Sequence, residues 1–559
     1  MVILSVLPIL GSYFFKAHTD FQGDKTLVSV RIQRKGVEQL SRTQNPILKG
    51  FYPDPSVCRV GDDFYIVNST FAYFPGLPIF QTRDFRHFRQ IGNVLTTDSQ
   101  LPLSGVGHSE GLYAPTIRYH NGTFYVICTN ISRGGNFIVT ATDPAGPWSE
   151  PHWIKGADGI DPSIFFDEDG TCYYVGTHPN SDGERYFGDS EIYIATLDLD
   201  TYCFTSKPKR IWKGALRDCT WPEAPHLYRI NGMYYLMIAE GGTGPDHAVT
   251  IARSESPFGP FVGYPRNPIL THRHLGKSYP VQYVGHGDLV QAADGSWYMV
   301  MLASRPYEGG SNLGRETFFA RVEWEDGWPV VNPGIGKLTD ITETTLPEYP
   351  LEPRPNYYSF SDMSWDALDP RLLFLRNPKR EDYSFDKEGL ALKLSSVTLL
   401  EEDSPSYVCV RQASFDYMVE TKLTFSPAQS GEFAGLALVQ SNLFHIRLEY
   451  GKCDSGCVLR AVLCEDGKET VIKEVPVHTT TILLKLAQHG QDVSLYYKAK
   501  NGDTDDGSYQ KLDCTLSARR MCTEQAGGFV GCTVGVYATS NGKKSENSAL
   551  FEYLGYQDI

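Results

Sequence analysis

The stretch Phe-Tyr-Pro-Asp-Pro-Ser at residues 51–56 places a carboxylate, Asp54, between two prolines. A short apolar run, a Gly-Asp-Asp turn and the aromatic run Phe64–Val67 follow it directly. Proline fixes φ and lacks a backbone N–H, so it is tolerated at the first residue of a strand but not inside one. We therefore expect Asp54 to be held stiffly at the entrance of a strand that continues into a hairpin.

Further copies of this pattern follow at a spacing of roughly 45 to 65 residues, which is typical of propellers, solenoids and arrays. Each copy combines a short apolar strand, a turn with Asn-Gly, Asp-Gly or Gly-Asp, and an aromatic strand. Such turns between apolar runs are the strongest short-range signals for a β-hairpin. Hairpins without helical periodicity predict four-stranded propeller blades, so five copies predict five blades. The copies begin at Asp54, Ala114, Asp161, Ala224 and His286.

Equivalent positions of successive blades converge on the axis of a propeller, so one pocket should be ringed by residues from every copy. Three of these positions are acids, and crowded carboxylates are costly unless a ligand, a cation or a proton compensates their charge. A single Asp-Pro is usually only a turn, but three acids in one phase of the repeat favour a functional site. The expected ring consists of Asp54, Tyr113 with Ala114, Asp161, Glu223 with Ala224, and His286.

The chain divides at a proline-rich segment. Prolines fall nearly every third residue in 347–357, which predicts a stiff, extended linker. Residues 44–346 before it form the expected propeller, and residues 1–43 match no repeat and are expected to be an extension. Residues 358–559 alternate short strands and turns without the repeat, which predicts a β-sandwich of the jelly-roll or concanavalin-like kind. The predicted fold class is therefore all-β.

Composition narrows the classes of partner and the compartment. The formal net charge of −15 argues against nucleic acid or an anionic membrane as the main partner. Twelve cysteines show no disulfide-scaffold spacing, and no zinc template matches them, which favours a reducing compartment. The apolar run at 2–15 lacks a preceding Lys or Arg and is short for a membrane span. We expect a cytoplasmic protein, with secretion left open.

Taken together, five motifs resemble glycoside hydrolase family 43, and they are closest to its β-xylosidase and α-L-arabinofuranosidase branch. The resemblance spans roughly residues 45 to 559. It implies a five-bladed propeller followed by a β-sandwich, and hydrolysis with inversion at the anomeric carbon. The motifs are Phe-Tyr-Pro-Asp-Pro-Ser at 51–56, Ile-Asp-Pro-Ser at 160–163, Glu-Ala-Pro-His at 223–226, Gly-His-Gly-Asp at 285–288 and Gly-Arg-Glu-Thr at 314–317.

The resemblance implies roles for the three acids. Asp54 matches the general base, Glu223 the general acid, and Asp161 a third carboxylate that tunes and orients the acid. An inverting enzyme needs its acid and base roughly 6.5 to 9.5 Å apart. Blades one and four of a five-bladed ring present carboxylates across the axis at about that spacing. Glu223 must be protonated at working pH, and repulsion from Asp161 would raise its pKa.

The resemblance also implies a set of residues that line the sugar subsite: Phe71, Tyr113, His286, Arg315 and Phe529. For four of them a structural role is the alternative: a core position for the two phenylalanines, a surface position for the arginine, and a hydrogen-bonded axial position for the histidine. Many β-xylosidases of this kind carry Trp where Tyr113 stands, which leaves the pentose specificity open. No cofactor and no catalytic metal are expected. An axial histidine in related propellers helps to hold calcium, so a structural calcium ion near the axis stays open.

The resulting hypothesis is an exo-acting β-1,4-xylosidase that acts on xylo-oligosaccharides or arabinoxylan fragments, with a homo-oligomer left open. An α-L-arabinofuranosidase or a bifunctional enzyme is the first alternative. A non-catalytic sugar-binding propeller is the second, and the intact acids argue against it. A retaining fructosidase-type propeller would need an Asn-Asp-Pro-Asn motif, but Pro53 precedes Asp54 and Ser56 follows Pro55.

Overall fold

Five antiparallel sheets follow one another in the computed structural model of the protein, which describes residues 40–499 and 508–559. Strands pair with their neighbours along the chain, and the first strands of adjacent blades contact one another. The predicted five-bladed propeller is therefore confirmed. Its strands are, in blade 1, Ser56–Val60, Asp63–Val67, Gly76–Thr82 and Arg89–Leu95; in blade 2, Thr116–His120, Thr123–Asn130, Gly135–Ala141 and His152–Trp153; in blade 3, Ile160–Phe166, Cys172–Pro179, Ser190–Asp198, Cys203–Phe204 and Lys209–Trp212; in blade 4, Glu223–Ile230, Met233–Glu240, Ala248–Ser254, Val262–Gly263 and Leu270–Thr271; in blade 5, Gln282–Gln291, Trp297–Ser304, Glu316–Glu325 and Trp328–Val331.

The hairpin turns adopt the backbone that their sequence demands. Asn121 and Asn231 have φ of 47° and 51°, and the glycines after them have φ of 85° and 81°. Two consecutive positive φ values define the type I′ turn, whose twist matches that of the paired strands. Asn-Gly thus joins the first and second strands of blades 2 and 4.

The N-terminal boundary differs from the expected one. The strand Ser41–Gln44 pairs antiparallel with Ile341–Thr344, so it crosses the predicted division between residues 43 and 44. The sequence offered no repeat there, because this pairing joins the two ends of the propeller chain rather than neighbours. The rest of the predicted extension, residues 1–39, lies outside the described residues.

The second domain is a β-sandwich that begins after the proline-rich segment. No strand is assigned between 345 and 356, and the sandwich begins with Tyr357–Ser359, which pairs with 553–555 at the C-terminus. Its ten-stranded sheet contains Tyr357–Ser359, Tyr383–Asp386, Gly389–Lys393, Asp416–Thr424, Thr481–His489, Asp492–Ala499, Gln510–Lys511, Leu516–Ser517, Ser548–Phe551 and Tyr553–Asp558. Its eight-stranded sheet contains Tyr73–Phe74, Leu373–Leu375, Ser406–Arg411, Phe433–Ser441, Phe444–Cys453, Gly456–Glu465, Lys468–Pro476 and Thr533–Thr539.

Helical structure is confined to short turns in the described ranges. These are the 3₁₀ turns Phe360–Asp362, Trp365–Ala367 and Arg380–Asp382 and the α-helical turn Thr523–Ala526. None of them is long and apolar enough to cross a membrane.

One strand of the sandwich comes from the propeller. Tyr73–Phe74, in the loop of blade 1, pairs with Leu373–Leu375 at the edge of the eight-stranded sheet. Arg411 of the sandwich donates a hydrogen bond to the carbonyl of Phe51 at 2.9 Å and lies over the Tyr52 ring. A continuous apolar core links both domains as a result, and it holds the sandwich against the propeller face that carries Asp54.

Candidate active site

All eight residues predicted for the site line a single pocket at one end of the propeller axis. Its volume is about 660 Å³, within the range of roughly 300 to 1,000 Å³ that is usual for small-molecule sites. The three predicted acids share it with the five predicted sugar-contacting residues: Asp54, Asp161, Glu223, Phe71, Tyr113, His286, Arg315 and Phe529. The residues expected to meet because they share one phase of the repeat therefore lie together in this pocket.

An irregular backbone aims these side chains into the pocket. Asp54, Asp161, Ala224 and His286 have φ between 50° and 53°, in the left-handed region that non-glycine residues rarely adopt. In blades 3, 4 and 5 the register of the first hairpin shifts at this point, which marks β-bulges. Bulges redirect side chains. Residues with strained backbone angles occur preferentially at functional sites. A residue with positive φ thus occurs at the start of four of the five blades.

Asp54 is buried and fully engaged. Arg315 Nη1 donates to its Oδ1 at 2.7 Å, Ser69 Oγ donates to its Oδ2 at 2.7 Å, and His286 Nδ1 lies 3.7 Å from Oδ1. Burial alone raises the pKa of this carboxyl, but Arg315, His286 and Ser69 outweigh burial and hold the pKa below its ordinary value. Asp54 is therefore ionised at neutral pH.

Glu223 is in the opposite situation. Its carboxyl accepts no hydrogen bond from the described residues, and it lies in the same pocket as the other two acids. Burial first, and then repulsion from Asp161 and Asp54, raise the pKa of Glu223 well above its ordinary value, although Arg315 opposes the shift. A carboxyl of this kind keeps its proton at neutral pH and is able to donate it.

Asp161 connects the other two acids. Its Oδ2 accepts a hydrogen bond from the backbone N–H of Ala224 at 3.2 Å, so it fixes the peptide that directly follows Glu223. Burial, together with the charge of Asp54, raises the pKa of Asp161 to about 6, while His286 lowers it. Asp161 thus acts on Glu223 both by position and by charge.

An aromatic wall lies beside Asp54. Phe71 packs against Tyr113 and Phe529 at centroid distances of 5.7 and 6.1 Å, and Tyr113 is 5.9 Å from Phe529. Arg315 lies over both phenylalanine rings, at 5.7 and 5.5 Å. Phe71 is only 1% exposed, whereas Phe529 is 37% exposed. Phe529 is therefore part of the pocket surface and not of the core.

The sandwich segment that carries Phe529 is tied to the propeller. The backbone N–H of Phe529 donates to Ser109 Oγ at 2.8 Å, and its carbonyl accepts from Arg315 Nη2 at 3.3 Å. At Gly531, a Cβ would lie 2.5 Å from the carbonyl oxygen of Leu313, so only glycine allows this approach. The second domain therefore completes the pocket.

The axis beneath the pocket holds an arginine. Arg118 Nη1 pairs with Asp288 at 2.8 Å, and Arg118 Nη2 is 2.9 Å from His226 Nδ1. Ser56 and Tyr228 donate to the same carboxylate, each at 2.7 Å. Across residues 40–499 and 508–559, no group of three or more His, Cys, Asp or Glu side chains is arranged to hold a metal. A calcium ion near His286 stays a prediction without a matching donor cluster.

Several pocket residues were missed by the sequence analysis. Trp221 and Phe187 lie on the wall next to Glu223, and the loop 241–246 of blade 4 completes that side. Trp221 stands two residues before Glu223, so the Trp-Pro-Glu order was a usable signal. Phe187 lies in a polar loop inside blade 3, outside the repeated phase, and no pattern marks it.

Two family models match the chain. Residues 43–329 match "Glycosyl hydrolases family 43", and residues 361–557 match "Beta xylosidase C-terminal Concanavalin A-like domain". The chain is 48% identical over 522 residues to "Xylosidase/arabinosidase" of Butyrivibrio fibrisolvens, covering 92% of this chain and 99% of that protein. It is 38% identical over 525 residues to "Non-reducing end alpha-L-arabinofuranosidase BoGH43B" of Bacteroides ovatus, covering 92% and 94%.

Solved structures agree with these matches. The fold is similar to that of xylan beta-1,4-xylosidase from Bacillus halodurans C-125, with a TM-score of 0.86 and 33% identity over 92% of this chain and all of that one. The propeller, the sandwich and the acidic pocket thus occur together here as they do in a known family of enzymes. The chain belongs to glycosyl hydrolase family 43 and is a glycoside hydrolase.

Proposed function

We propose that this protein is an inverting, exo-acting β-1,4-xylosidase that releases single D-xylose units from the non-reducing ends of xylo-oligosaccharides. The observation that carries the proposal is the contrast between two carboxyls of one pocket. Asp54 is held ionised by Arg315, His286 and Ser69, while Glu223 is held protonated by burial and by two neighbouring acids. This is the pair of protonation states that inverting hydrolysis requires.

The reaction uses both carboxyls in one step. Glu223 gives its proton to the glycosidic oxygen as the bond from this oxygen to C1 breaks. Asp54 takes a proton from a water molecule, whose oxygen forms the new bond to C1 from the opposite face of the ring. The products are a free sugar with inverted configuration and a chain shortened by one unit. Asp54 and Glu223 end the cycle with exchanged proton occupancy, and solvent restores it.

Asp161 prepares the acid for this step. Its negative charge disfavours ionisation of Glu223, and its hydrogen bond to the Ala224 amide holds the adjoining backbone in place. Arg315 has a second role besides the ion pair with Asp54, because it also contacts the wall formed by Phe71 and Phe529. The guanidinium of Arg315 therefore positions both the base, Asp54, and the aromatic wall that would bind the sugar.

The closed side of the pocket supports exo action. Phe529 and the segment around it come from the sandwich and stand across the propeller face beside Asp54. A long polysaccharide running through the site in both directions would collide with this segment. The names of relatives are consistent with the proposal, since one is a non-reducing-end enzyme and several are β-xylosidases.

An α-L-arabinofuranosidase or bifunctional activity is the second candidate. Tyr113 stands in the aromatic wall, next to Phe71 and Phe529, where the resemblance leads one to expect tryptophan in many β-xylosidases. The Butyrivibrio fibrisolvens relative is named for both activities. Hydrolysis of either pentose would use the same acids, so the aromatic wall would determine which pentose the enzyme prefers.

A side-by-side assay of aryl β-D-xylopyranoside and aryl α-L-arabinofuranoside tests the proposal, with Glu223→Gln as the control. We expect turnover of the xyloside to exceed that of the arabinofuranoside, and to fall by a factor of about 100 or more in the variant. Preference for the arabinofuranoside would establish the second candidate. No turnover of either by the wild-type protein would contradict both and favour a sugar-binding propeller.

The partners and the compartment follow from this proposal. Xylo-oligosaccharides or arabinoxylan fragments are the proposed substrates, and no nucleic acid or membrane partner is proposed. All twelve cysteines are free, and eight of them are buried, which supports a reducing, cytoplasmic compartment.

A further inference from the structure

A buried ion pair lies next to the residue that holds the base. Glu316 directly follows Arg315 and is fully buried, and its carboxylate accepts from Arg305 Nε at 2.6 Å and from Arg305 Nη2 at 2.9 Å. The described residues that line the pocket include neither partner of this pair. A buried carboxylate is costly even when it is paired, so a charge at this position needs an explanation that the reaction itself does not provide.

The Glu316 carboxylate has a further partner, and that partner leads to the base. Its Oε1 accepts from the backbone N–H of Gly50 at 2.9 Å. Gly50 begins the segment 50–53, which directly precedes Asp54. Burial raises the pKa of Glu316, although Arg305 and the Gly50 amide oppose the shift. Arg305 therefore stabilises the ionised form of the group that holds the start of this segment.

The segment 50–53 is fixed along its whole length, because each of its four carbonyl oxygens accepts a hydrogen bond. The donors are Tyr52 N–H for Gly50 at 2.8 Å, Arg411 Nε for Phe51 at 2.9 Å, Thr317 Oγ1 for Tyr52 at 2.7 Å and Asn68 Nδ2 for Pro53 at 3.0 Å. Asp54 follows with φ of 53°. A left-handed aspartate persists only where its surroundings enforce the conformation, so the geometry of the base depends on this segment.

Gly50 is confined by the sandwich as well as by Glu316. It has φ of 87°, and a Cβ at this position would lie 2.6 Å from the carbonyl oxygen of Gln412. Glycine is the residue that allows both this backbone conformation and this close approach. The segment cannot move toward Gln412, and the hydrogen bond to Glu316 opposes its movement away from the strand Glu316–Glu325.

Three consecutive residues of the Gly-Arg-Glu-Thr motif hold the base and the segment before it. Arg315 Nη1 donates to Asp54, Glu316 accepts from the Gly50 amide, and Thr317 Oγ1 donates to the Tyr52 carbonyl. Successive side chains of a strand point to opposite faces. Arg315 therefore reaches the base itself, while Glu316 reaches the backbone that leads to it.

We propose that Glu316, with Arg305 as its counter-ion, is a positioning residue for the catalytic base. It fixes the Gly50 amide and thereby holds Asp54 against Arg315 and at its place beside the water that it activates. The inference rests on the proposed inverting mechanism, in which Asp54 is the base, and adds a residue that acts through Asp54 without touching the substrate. Such a residue matters because a misplacement of about 1 Å in an active site lowers the rate by up to about a hundredfold.

Three substitutions of Glu316 separate its contacts. Glu316→Gln keeps an acceptor for the Gly50 amide and loses the charge, and the Arg305 side chain, which is 32% exposed, is able to turn toward solvent. Glu316→Asp keeps the charge but is shorter by one methylene, so it does not reach Gly50. We expect kcat for an aryl β-D-xylopyranoside to fall by a factor of about 10 to 100 in Glu316→Ala and Glu316→Asp and to stay within about threefold of wild type in Glu316→Gln. KM should stay within about threefold in all three variants, because the aromatic wall is unchanged.

The acid limb of the pH profile distinguishes positioning from stability. The titratable and charged groups around Asp54 are Arg315, His286, His247, Asp161 and Glu223. Burial raises the pKa of Asp54, and Arg315 is the strongest of the groups that lower it. Because the base must be ionised, a looser contact with Arg315 raises this pKa and should move the acid limb of kcat/KM to higher pH by about one unit in Glu316→Ala and Glu316→Asp. The alkaline limb, which belongs to Glu223, should stay in place.

Asp63→Ala serves as the matched control. Asp63 forms the same kind of two-bond pair with Arg83, at 2.7 and 3.0 Å, and lies at the turn of the blade 1 hairpin, at the opposite end from the pocket. It should leave kcat and both limbs of the profile unchanged.

The comparison of Glu316→Asp with Glu316→Gln stands even if Glu316→Ala does not fold, because each of these two variants keeps part of the buried contacts. An unchanged kcat and acid limb in Glu316→Asp would overturn the positioning role, and so would equal losses in Glu316→Asp and Glu316→Gln. A wild-type protein that hydrolyses no aryl pentoside would instead contradict the proposed function.

Discussion

Asp54, Asp161 and Glu223 carry the same functional group, and their surroundings separate their acidities. Arg315, His286 and Ser69 stabilise the charge on Asp54, while Glu223 has only carboxylates and one opposing guanidinium nearby. Asp161, with a pKa of about 6, lies between them. Activity should therefore require pH above the lowered pKa of Asp54 and below the raised pKa of Glu223, which gives a bell-shaped profile.

Asp161→Asn tests this arrangement. The amide oxygen still accepts from Ala224 N–H, but the negative charge next to Glu223 is lost. Without this repulsion the pKa of Glu223 falls, so the alkaline limb of kcat/KM should move to lower pH by about one unit or more. The pH profile of aryl xyloside hydrolysis measures the shift. Asp169→Asn, in an exposed turn of the same blade, is the control, and an unmoved alkaline limb in Asp161→Asn would contradict the role of charge.

At the scale of elements, the site depends on where hairpins begin and where two glycine-rich segments touch. Bulges at the pocket end of blades 3, 4 and 5 turn Asp161, Glu223 and His286 inward. Gly314, directly before Arg315, lies against Gly531 of the sandwich; a Cβ on Gly314 would be 2.8 Å from the Gly531 nitrogen. This contact sets the distance between the sandwich segment and the strand that carries Arg315.

Gly531→Ala should disturb this distance. The added methyl would lie 2.5 Å from the carbonyl oxygen of Leu313, and backbone must move to make room. We expect Phe529 to shift and kcat/KM to fall by a factor of about 10 to 100, as small misplacements in active sites do. Gly263→Ala, whose nearest atom is 3.5 Å away, is the control. Equal kcat/KM in the two variants would show that the segment does not position the pocket.

The sequence predicted the hairpins, because their turns are specified by neighbouring residues. Asn121-Gly122 and Asn231-Gly232 specify their own turns, so the repeat and the phase of the acids were readable from neighbours along the chain. The positions of the Phe187 and Trp221 rings could not be predicted from the sequence. They depend on Gly188 and Gly242, which meet the indole only after blades 3 and 4 have packed together.

At the scale of the whole molecule, the two domains form one structure. The strand Tyr73–Phe74 completes a sheet of the sandwich, and Phe529 completes a pocket of the propeller. The sequence predicted the boundary near the prolines of 347–357, but not this exchange. The pairing joins residues about 300 positions apart, and a two-residue strand has no periodicity to reveal it.

This exchange predicts cooperative unfolding. Separation of the domains would expose an unpaired sheet edge and divide a continuous apolar core, so neither half should persist without the other. Calorimetry should show one transition, and loss of xylosidase activity should coincide with it. Two resolved transitions, with activity surviving the first, would contradict the account of the sandwich as part of the site.

The stereochemistry of hydrolysis tests the central claim most directly, because only an acid and a base on opposite faces of the sugar produce inversion. Proton NMR of the hydrolysis of an aryl β-D-xylopyranoside, recorded before mutarotation, identifies the anomer that forms first. The roles given to Asp54 and Glu223 predict α-D-xylose as the first product. If β-D-xylose appeared first, the configuration would be retained, and Asp54 would not act as a base on water.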